Sequence, residues 1–340
     1  FSECFDRAAH GPASISMQAW GMPTAAVRLM LKALQTMQFC LRTGFGESKA
    51  FFGGTEEDPQ AGYGQGSGAA PPGFSALSAL VVNAYKRAGC GAKFMSAYSA
   101  RLYLIAAVMY VDDTDLLHLA SSQTSSDASL ISRVQEHTFM WGGLSQATGG
   151  SLKQAKCFVY FLSYKFVNGK ARLKKLSELP PPTGEVAIKA KDGTTTMAPS
   201  HIEIPQPDGT TLPIPTIDVD EATKTLGFLF APNGNGADHV ASMVEKGKDW
   251  VDKLRSKPLP RRDAWLSFSL QLFPAMSWGM VCVILSPAEL DKQFQSLYFK
   301  ALPLLGVNRH ITKGWRTLPS RYQGLGMPDF VVHVFAVKIF

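Results

Sequence analysis

The chain has 340 residues, 46% of them hydrophobic and 18% charged, with a formal net charge of +7. That composition supplies a sizeable core and excludes a disordered charged tail, while the moderate basic excess suits a polyanionic partner. Five scattered cysteines (Cys4, Cys40, Cys90, Cys157, Cys282), with no CxxC pair and no histidine at ligand spacing, argue against a zinc site or a disulfide framework.

In chain order, Met22-Pro23 opens a helix whose apolar face is Val27, Met30, Leu31, Leu34 and Met37. Residues 38–54 read as extended, with a turn at Gly44-Phe45-Gly46. Residues 55–73, rich in Gly, Pro, Ser and Ala, read as a loop, and Phe74–Lys86 as a helix. Leu102–Val111 is almost wholly apolar and predicts a buried strand, with a second apolar run at Leu116–Ala120. Between them stand Asp112 and Asp113. Adjacent carboxylates raise each other's pKa unless a cation separates them, and magnesium is the divalent ion that prefers carboxylate oxygen. A plain hairpin cap is the other reading of an acidic turn.

Ser125-Ser126-Asp127 can cap a helix with Leu130, Val134, Thr138, Trp141 and Leu144 on its inner face, ended by Gly149-Gly150. Lys156–Phe166 is apolar and aromatic enough for a strand. Residues 177–222, with a triple proline and two DGTT turns at 192–195 and 208–211, predict a small β-rich insertion. From Ala237 the pattern is helical, with Val240, Met243, Val244, Val251 and Leu254 on one face and Lys246, Lys248, Lys253, Arg255, Lys257, Arg261 and Arg262 crowding the same stretch. A solvated helix face is the alternative to a phosphate-binding surface there. Leu270–Leu285 is too short for a membrane span and contains Pro274, so it predicts a buried helix. Pro287–Leu302 is a further helix, and Gly324–Asp329 is turn-rich. There is no dinucleotide fingerprint, Walker lysine motif, GxSxG elbow or HExxH helix.

Taken in order, these motifs resemble a reverse transcriptase of the retrotransposon type, nearest to the LINE-like (non-LTR) group. Tyr110-Val111-Asp112-Asp113 resembles the family's Y-x-D-D turn. The resemblance implies that Asp112 and Asp113 bind metal and that Tyr110 and Val111 lie beside the nucleotide and primer terminus. Phe1–Arg7 resembles the end of the D-F-S-K-A-F-D-R segment, making Phe5 the aromatic that selects deoxynucleotides. The family's third acid would immediately precede Phe1, so the chain is expected to be an internal fragment that is inactive if that acid is missing.

Gly64-Gln65-Gly66-Ser67, then Ala70-Pro71 and Phe74, resembles the P-Q-G loop, in which Gln65 and Gly66 would touch template or nucleotide. Ala70 and Gly73 depart from that pattern, which has Ser and Leu there. Gly149–Leu152 with Lys156-Cys157 resembles the segment carrying a lysine general acid, so Lys156 is a candidate acid, a solvated surface lysine being the alternative. Leu226 and Gly227 resemble the primer-gripping hairpin.

The resemblance implies an α+β fold: a right-hand polymerase palm of antiparallel sheet and helices, followed by a mostly helical thumb. The expected segments are palm with a remnant of fingers at 1–176, insertion at 177–222, primer-grip hairpin at 223–236, thumb at 237–305 and a post-thumb segment at 306–340. The implied cofactors are two Mg2+ ions, with Mn2+ as an alternative, and the implied partners are an RNA template, a DNA primer and deoxynucleoside triphosphates, with no membrane. The rival expectation is a catalytically dead element that only binds nucleic acid.

Overall fold

The computed structural model describes residues 4–64, 67–120, 126–189 and 194–339. The fold is α+β, built from two compact units: 1–163 with 176–217, and 164–175 with 218–340. The segment 176–217 therefore clusters with the first unit, while the 164–175 hairpin clusters with the second.

The first unit opens with helices α1 (Cys4–Arg7), α2 (His10–Ala19) and α3 (Thr24–Gln35). Val27, Leu31 and Leu34 of α3 are buried at helical spacing, as the sequence predicts. A hairpin of β1 (Gln38–Thr43) and β2 (Gly46–Gly53) follows. The next helix, α4 (Ala70–Arg87), begins four residues before the predicted Phe74, because Pro71 and Pro72 suit the first helical turn, where their missing N–H groups are not needed. Tyr63, 1% exposed, lies under α4, where a Cβ on Gly73 would strike its ring.

The predicted buried strand Leu102–Val111 is corrected. It is two strands with different partners: β3 (Ala92–Met95) pairs with β4 (Leu102–Ile105), and β5 (Ala107–Tyr110) pairs with β6 (Asp113–Leu116). Of the run, Ala106 is buried, whereas Leu102, Leu104, Ile105, Val108 and Tyr110 are exposed. The run is apolar on both faces, which hid from the sequence the alternation of a half-covered hairpin.

Helix α5 (Asp127–Ala147) starts where predicted, with the Ser126 side chain accepting from the Ser129 N–H. The predicted strand Lys156–Phe166 is also corrected. Gln154–Lys156 is a single 3-10 turn, Val159 makes one isolated bridge to Thr216, and Phe161 is buried. Extended structure resumes at β7 (Tyr164–Val167), which pairs with β8 (Lys170–Leu173) in the second unit.

The next stretch is β-rich, as predicted: β9 (Gly184–Lys189) pairs with β10 (Thr195–Ser200), and β11 (Ile202–Pro205) with β12 (Thr211–Ile214). Ile202, Ile204 and Ile214 share a core with Val134 of α5 and with Phe161, so β11–β12 completes this unit's interior. In the 208–211 turn the Asp208 carboxylate accepts from the Thr210 N–H at 2.9 Å, and Gly209 takes a positive φ. The 192–195 turn falls partly outside the described residues.

The second unit continues with the hairpin β13 (Thr223–Thr225) and β14 (Phe228–Phe230), then α6 (Ala237–Ser256) and α7 (Arg261–Ser267). Leu270–Leu285 forms no single helix. A π-helical stretch at Phe268–Leu272 leads into the short α8 (Phe273–Ser277). Pro274 has no N–H and its ring crowds the preceding turn, which the wider π turn accommodates. Helix α9 (Pro287–Ala301) is set by a capping box of Ser286 and Glu289. Short α10 (Lys313–Thr317) and α11 (Phe330–Ile339) complete the unit. Its core joins α6 to α11 through Val251, Phe268, Phe273, Phe294, Leu302 and Phe330.

Candidate functional site

The site is built on the β5–β6 hairpin. Its register pairs Tyr110 with Asp113, Met109 with Thr114, Val108 with Asp115 and Ala107 with Leu116. Only Val111 and Asp112 lie between the strands, so this is a two-residue turn with Asp112 in it and Asp113 at its exit. Directly opposed residues share a face, and successive residues alternate faces. Val108, Tyr110, Asp113 and Asp115 therefore form the outer face, and all four are exposed. On the other face, Met109 and Leu116 pack against a core of Val81, Tyr85, Cys90, Ala106 and Trp141. The acids thus stand on the solvent side of a hairpin seated on its apolar side.

Val111 has φ +57°. A positive φ at the first turn residue suits the primed turns that close two-residue hairpins, and those turns favour Gly or Asn there. A β-branched side chain in that region is strained, at a cost of about 1–2 kcal/mol. The turn gives its second position to a carboxylate and its first to valine.

Sequence reasoning missed Asp115. Though the residue is exposed, partial desolvation of its carboxyl first, and the neighbouring Asp113 charge second, hold it above the usual carboxylate range. The signal was present in the D-T-D spacing, since residues two apart in a strand share a face. The cluster behind the hairpin was missed as well. His118 Nδ1 lies 2.9 Å from His137 Nδ1, and the Tyr85 ring stands edge-on to Trp141 at 5.2 Å. Burial, then His137 and Arg133, pushes His118 down to about 4. His137 is lowered too, by burial first and Arg133 second.

Two of the resembling segments meet. A Cβ on Gly149 would run into the Arg7 carbonyl, Ala9 N–H donates to Thr148 O at 2.9 Å, and Arg7 Nη1 donates to Ser151 Oγ at 2.9 Å. The end of the Phe1–Arg7 segment is thereby fixed to the Gly149–Ser151 segment. Phe5 falls within α1, and its side chain lies outside the described set. Gln65 and Gly66 also lie outside the described residues. Lys156 is exposed on its 3-10 turn.

Leu226 and Gly227 form the two-residue turn of β13–β14, with φ +48° and +86°. The basic residues of α6 are exposed, but they do not form one stripe. At about 100° per residue, Lys246 and Lys253 fall on one flank of the buried face and Lys248 and Arg255 on the other. Glu245, Asp249 and Asp252 lie between them, and Asp249 pairs with Lys253 at 2.6 Å. Lys257, Arg261 and Arg262, at the junction of α6 and α7, are exposed too.

The hairpin carboxylates are hard oxygen donors, the set that magnesium takes. Asp112 and Asp113 are the adjacent acids the turn supplies, and no cluster of three metal-ligating side chains forms among the described residues. No described helix is long and apolar enough to cross a membrane. Comparison with protein-family models finds no match, and a search of curated proteins finds none.

Proposed function

We propose that this chain carries the palm and thumb of a retrotransposon reverse transcriptase of the LINE-like kind, an RNA-directed DNA polymerase that extends a primer 3′ end. The observation that carries this reading is the tight hairpin that puts Asp112 in a two-residue turn and Asp113 directly across from Tyr110, facing solvent. Neighbouring carboxylates on a rigid, open edge suit a substrate that brings phosphates and cations to them.

In this reading Asp112 and Asp113 hold two magnesium ions. When bound, such ions activate the primer hydroxyl and offset the charge of the departing pyrophosphate. Tyr110 and Val111 contact the primer terminus and the incoming nucleotide. Phe5 excludes a ribose 2′-hydroxyl, and Gln65 and Gly66 hold template or nucleotide. Lys156 donates a proton toward the leaving group. Leu226 and Gly227 grip the primer strand. Lys246, Lys248, Lys253, Arg255, Lys257, Arg261 and Arg262 neutralise duplex phosphates from both flanks of α6 and the junction beyond it, which makes binding salt-dependent.

Primer extension on an RNA template tests the proposal. A form of the chain extended through the acid expected before Phe1 should make DNA with magnesium, and Asp112→Asn in that form should lower the rate about a hundred- to a thousandfold without unfolding. An extended form that makes no DNA with magnesium or manganese, yet retards a template–primer duplex in a gel, would replace this reading with that of a nucleic-acid-binding protein.

A further inference from the structure

The β13–β14 hairpin is too small to hold itself. It has three residue pairs, Thr223–Phe230, Lys224–Leu229 and Thr225–Phe228. Isolated two-stranded hairpins are marginal even when longer. Its turn also places Leu226, which is not glycine, at a positive φ.

Two side chains from elsewhere in the second unit tie it down. Trp278, just after α8, donates its indole Nε1–H to the Leu226 carbonyl at 2.8 Å. Its ring lies against Gly227, where a Cβ would come within 3.0 Å of Nε1. His239, on the first turn of α6 and 1% exposed, accepts the Leu229 N–H on Nδ1 at 3.3 Å. Its Nε2 lies 3.1 Å from the Trp278 carbonyl.

These contacts fix the imidazole chemistry. An Nδ1 that accepts must be bare, so the proton is on Nε2, donated to Trp278 O. The ties form a closed loop: hairpin tip to Trp278 side chain, Trp278 backbone to His239, His239 to β14. Gly279, at φ +76°, lets the chain pass, since a Cβ there would press on Phe228 and on His239 Nε2. Trp278 nevertheless remains 60% exposed, more than a residue recruited for core packing would be.

We propose that Trp278 and His239 are positioning residues for the primer-gripping hairpin, holding the Leu226-Gly227 tip at a fixed place within the second unit so that the primer strand meets a fixed contact rather than one left to swing. This inference rests on the polymerase reading given above. It assigns the two residues a role that acts through the hairpin they hold.

The test uses the chain extended through the acid expected before Phe1, and Trp278→Phe in it, which keeps an aromatic ring and removes the donor. Gly227→Ala serves as a second variant that displaces the indole from the hairpin side. Two readouts are taken: hydrogen exchange of the amides in residues 223–230, and steady-state extension of a DNA primer on an RNA template. Both variants are expected to exchange faster at 223–230 only. Both should need about three- to tenfold more primer for half-maximal rate, with the KM for deoxynucleotide unchanged, as loss of one hydrogen bond implies.

If the unsubstituted extended form extends primers and Trp278→Phe matches it in primer requirement, the positioning role is overturned and the polymerase reading stands. If exchange at 223–230 does not change, the anchoring itself is overturned. An unsubstituted extended form that extends no primer overturns the polymerase reading, and with it the role assigned to the tip.

Discussion

The β5–β6 and β13–β14 hairpins solve one problem in two ways. Each closes on a two-residue turn whose first residue is a bulky side chain at positive φ, Val111 at +57° and Leu226 at +48°. At the second position they part: Gly227 takes φ +86°, while β5–β6 places Asp112 there. They differ again in what holds them. The acidic hairpin is pressed from below by Met109 and Leu116 on the Tyr85–Trp141 core, and the other is strapped by hydrogen bonds from Trp278 and His239. Packing holds a whole face and leaves the opposite face bare for ligands. Hydrogen bonds hold chosen atoms and fix a tip whose own strands are too short to be stable. The difference teaches that a site needing an open face is best seated on apolar contacts, and one needing a fixed point is best tied.

The sharpest way to break that contrast is to remove the seat. Tyr85 is fully buried under the acidic hairpin. Tyr85→Ala is expected to cost about 3–5 kcal/mol and to lower the melting temperature by about 10 °C in a calorimetric scan. A melting temperature unchanged within error would show that β5–β6 does not depend on packing. Trp278→Phe, by contrast, should leave the melting temperature nearly where it was.

Acid bears on both regions, since burial also lowers His239 behind the β13–β14 hairpin, but a substitution at His118 isolates the share of the acidic hairpin. His118 is held down to about 4, so the folded protein keeps it neutral while the unfolded chain takes up a proton below about 6.5. Its contribution is therefore complete above about pH 6.5 and is lost as pH falls toward 4. The loss should reach about 2 kcal/mol by pH 5, read as a lower urea midpoint than at pH 7.5. His118→Phe should flatten part of that slope, the rest coming from His137 and His239, which burial lowers too, and an equally steep slope in the variant would exclude His118 as a source.

The smallest effect concerns the turn. Val111→Gly should stabilise by about 1 kcal/mol, because relief of the positive φ exceeds the small burial lost by a half-exposed side chain. A drop in stability would mean that the valine is held by contacts and not merely tolerated.

Helices α3 and α6 were legible in the sequence because both are long and amphipathic. Val27, Leu31 and Leu34 mark α3, and Val240, Met243, Val251 and Leu254 mark α6. The acidic turn was legible because two aspartates interrupt an apolar run. Its face was not, since Val108 and Tyr110 are apolar yet point to solvent. Lys156–Phe166 misled for a related reason: its aromatic content suited one strand, but only Tyr164–Phe166 joins a strand, while Phe161 is buried beside a single bridge at Val159. The Trp278–His239 strap was hidden by distance, for its partners lie 10, 39 and 52 residues apart along the chain. Neither residue belongs to a local pattern that would single it out.

The π-helical stretch at Phe268–Leu272 has a consequence of its own. An extra residue in a helical turn rotates everything beyond it back by about 100°. Ala264, Phe268 and Leu272 follow one another at intervals of four, and then Phe273 and Met276 are buried as well. Counted with one residue taken out, Met276 falls at the place of 275, and the inward series continues at intervals of four, four and three. The wide turn is thus a phase correction: it brings two stretches written in different registers onto one inward line, at the proline where a regular helix would have broken.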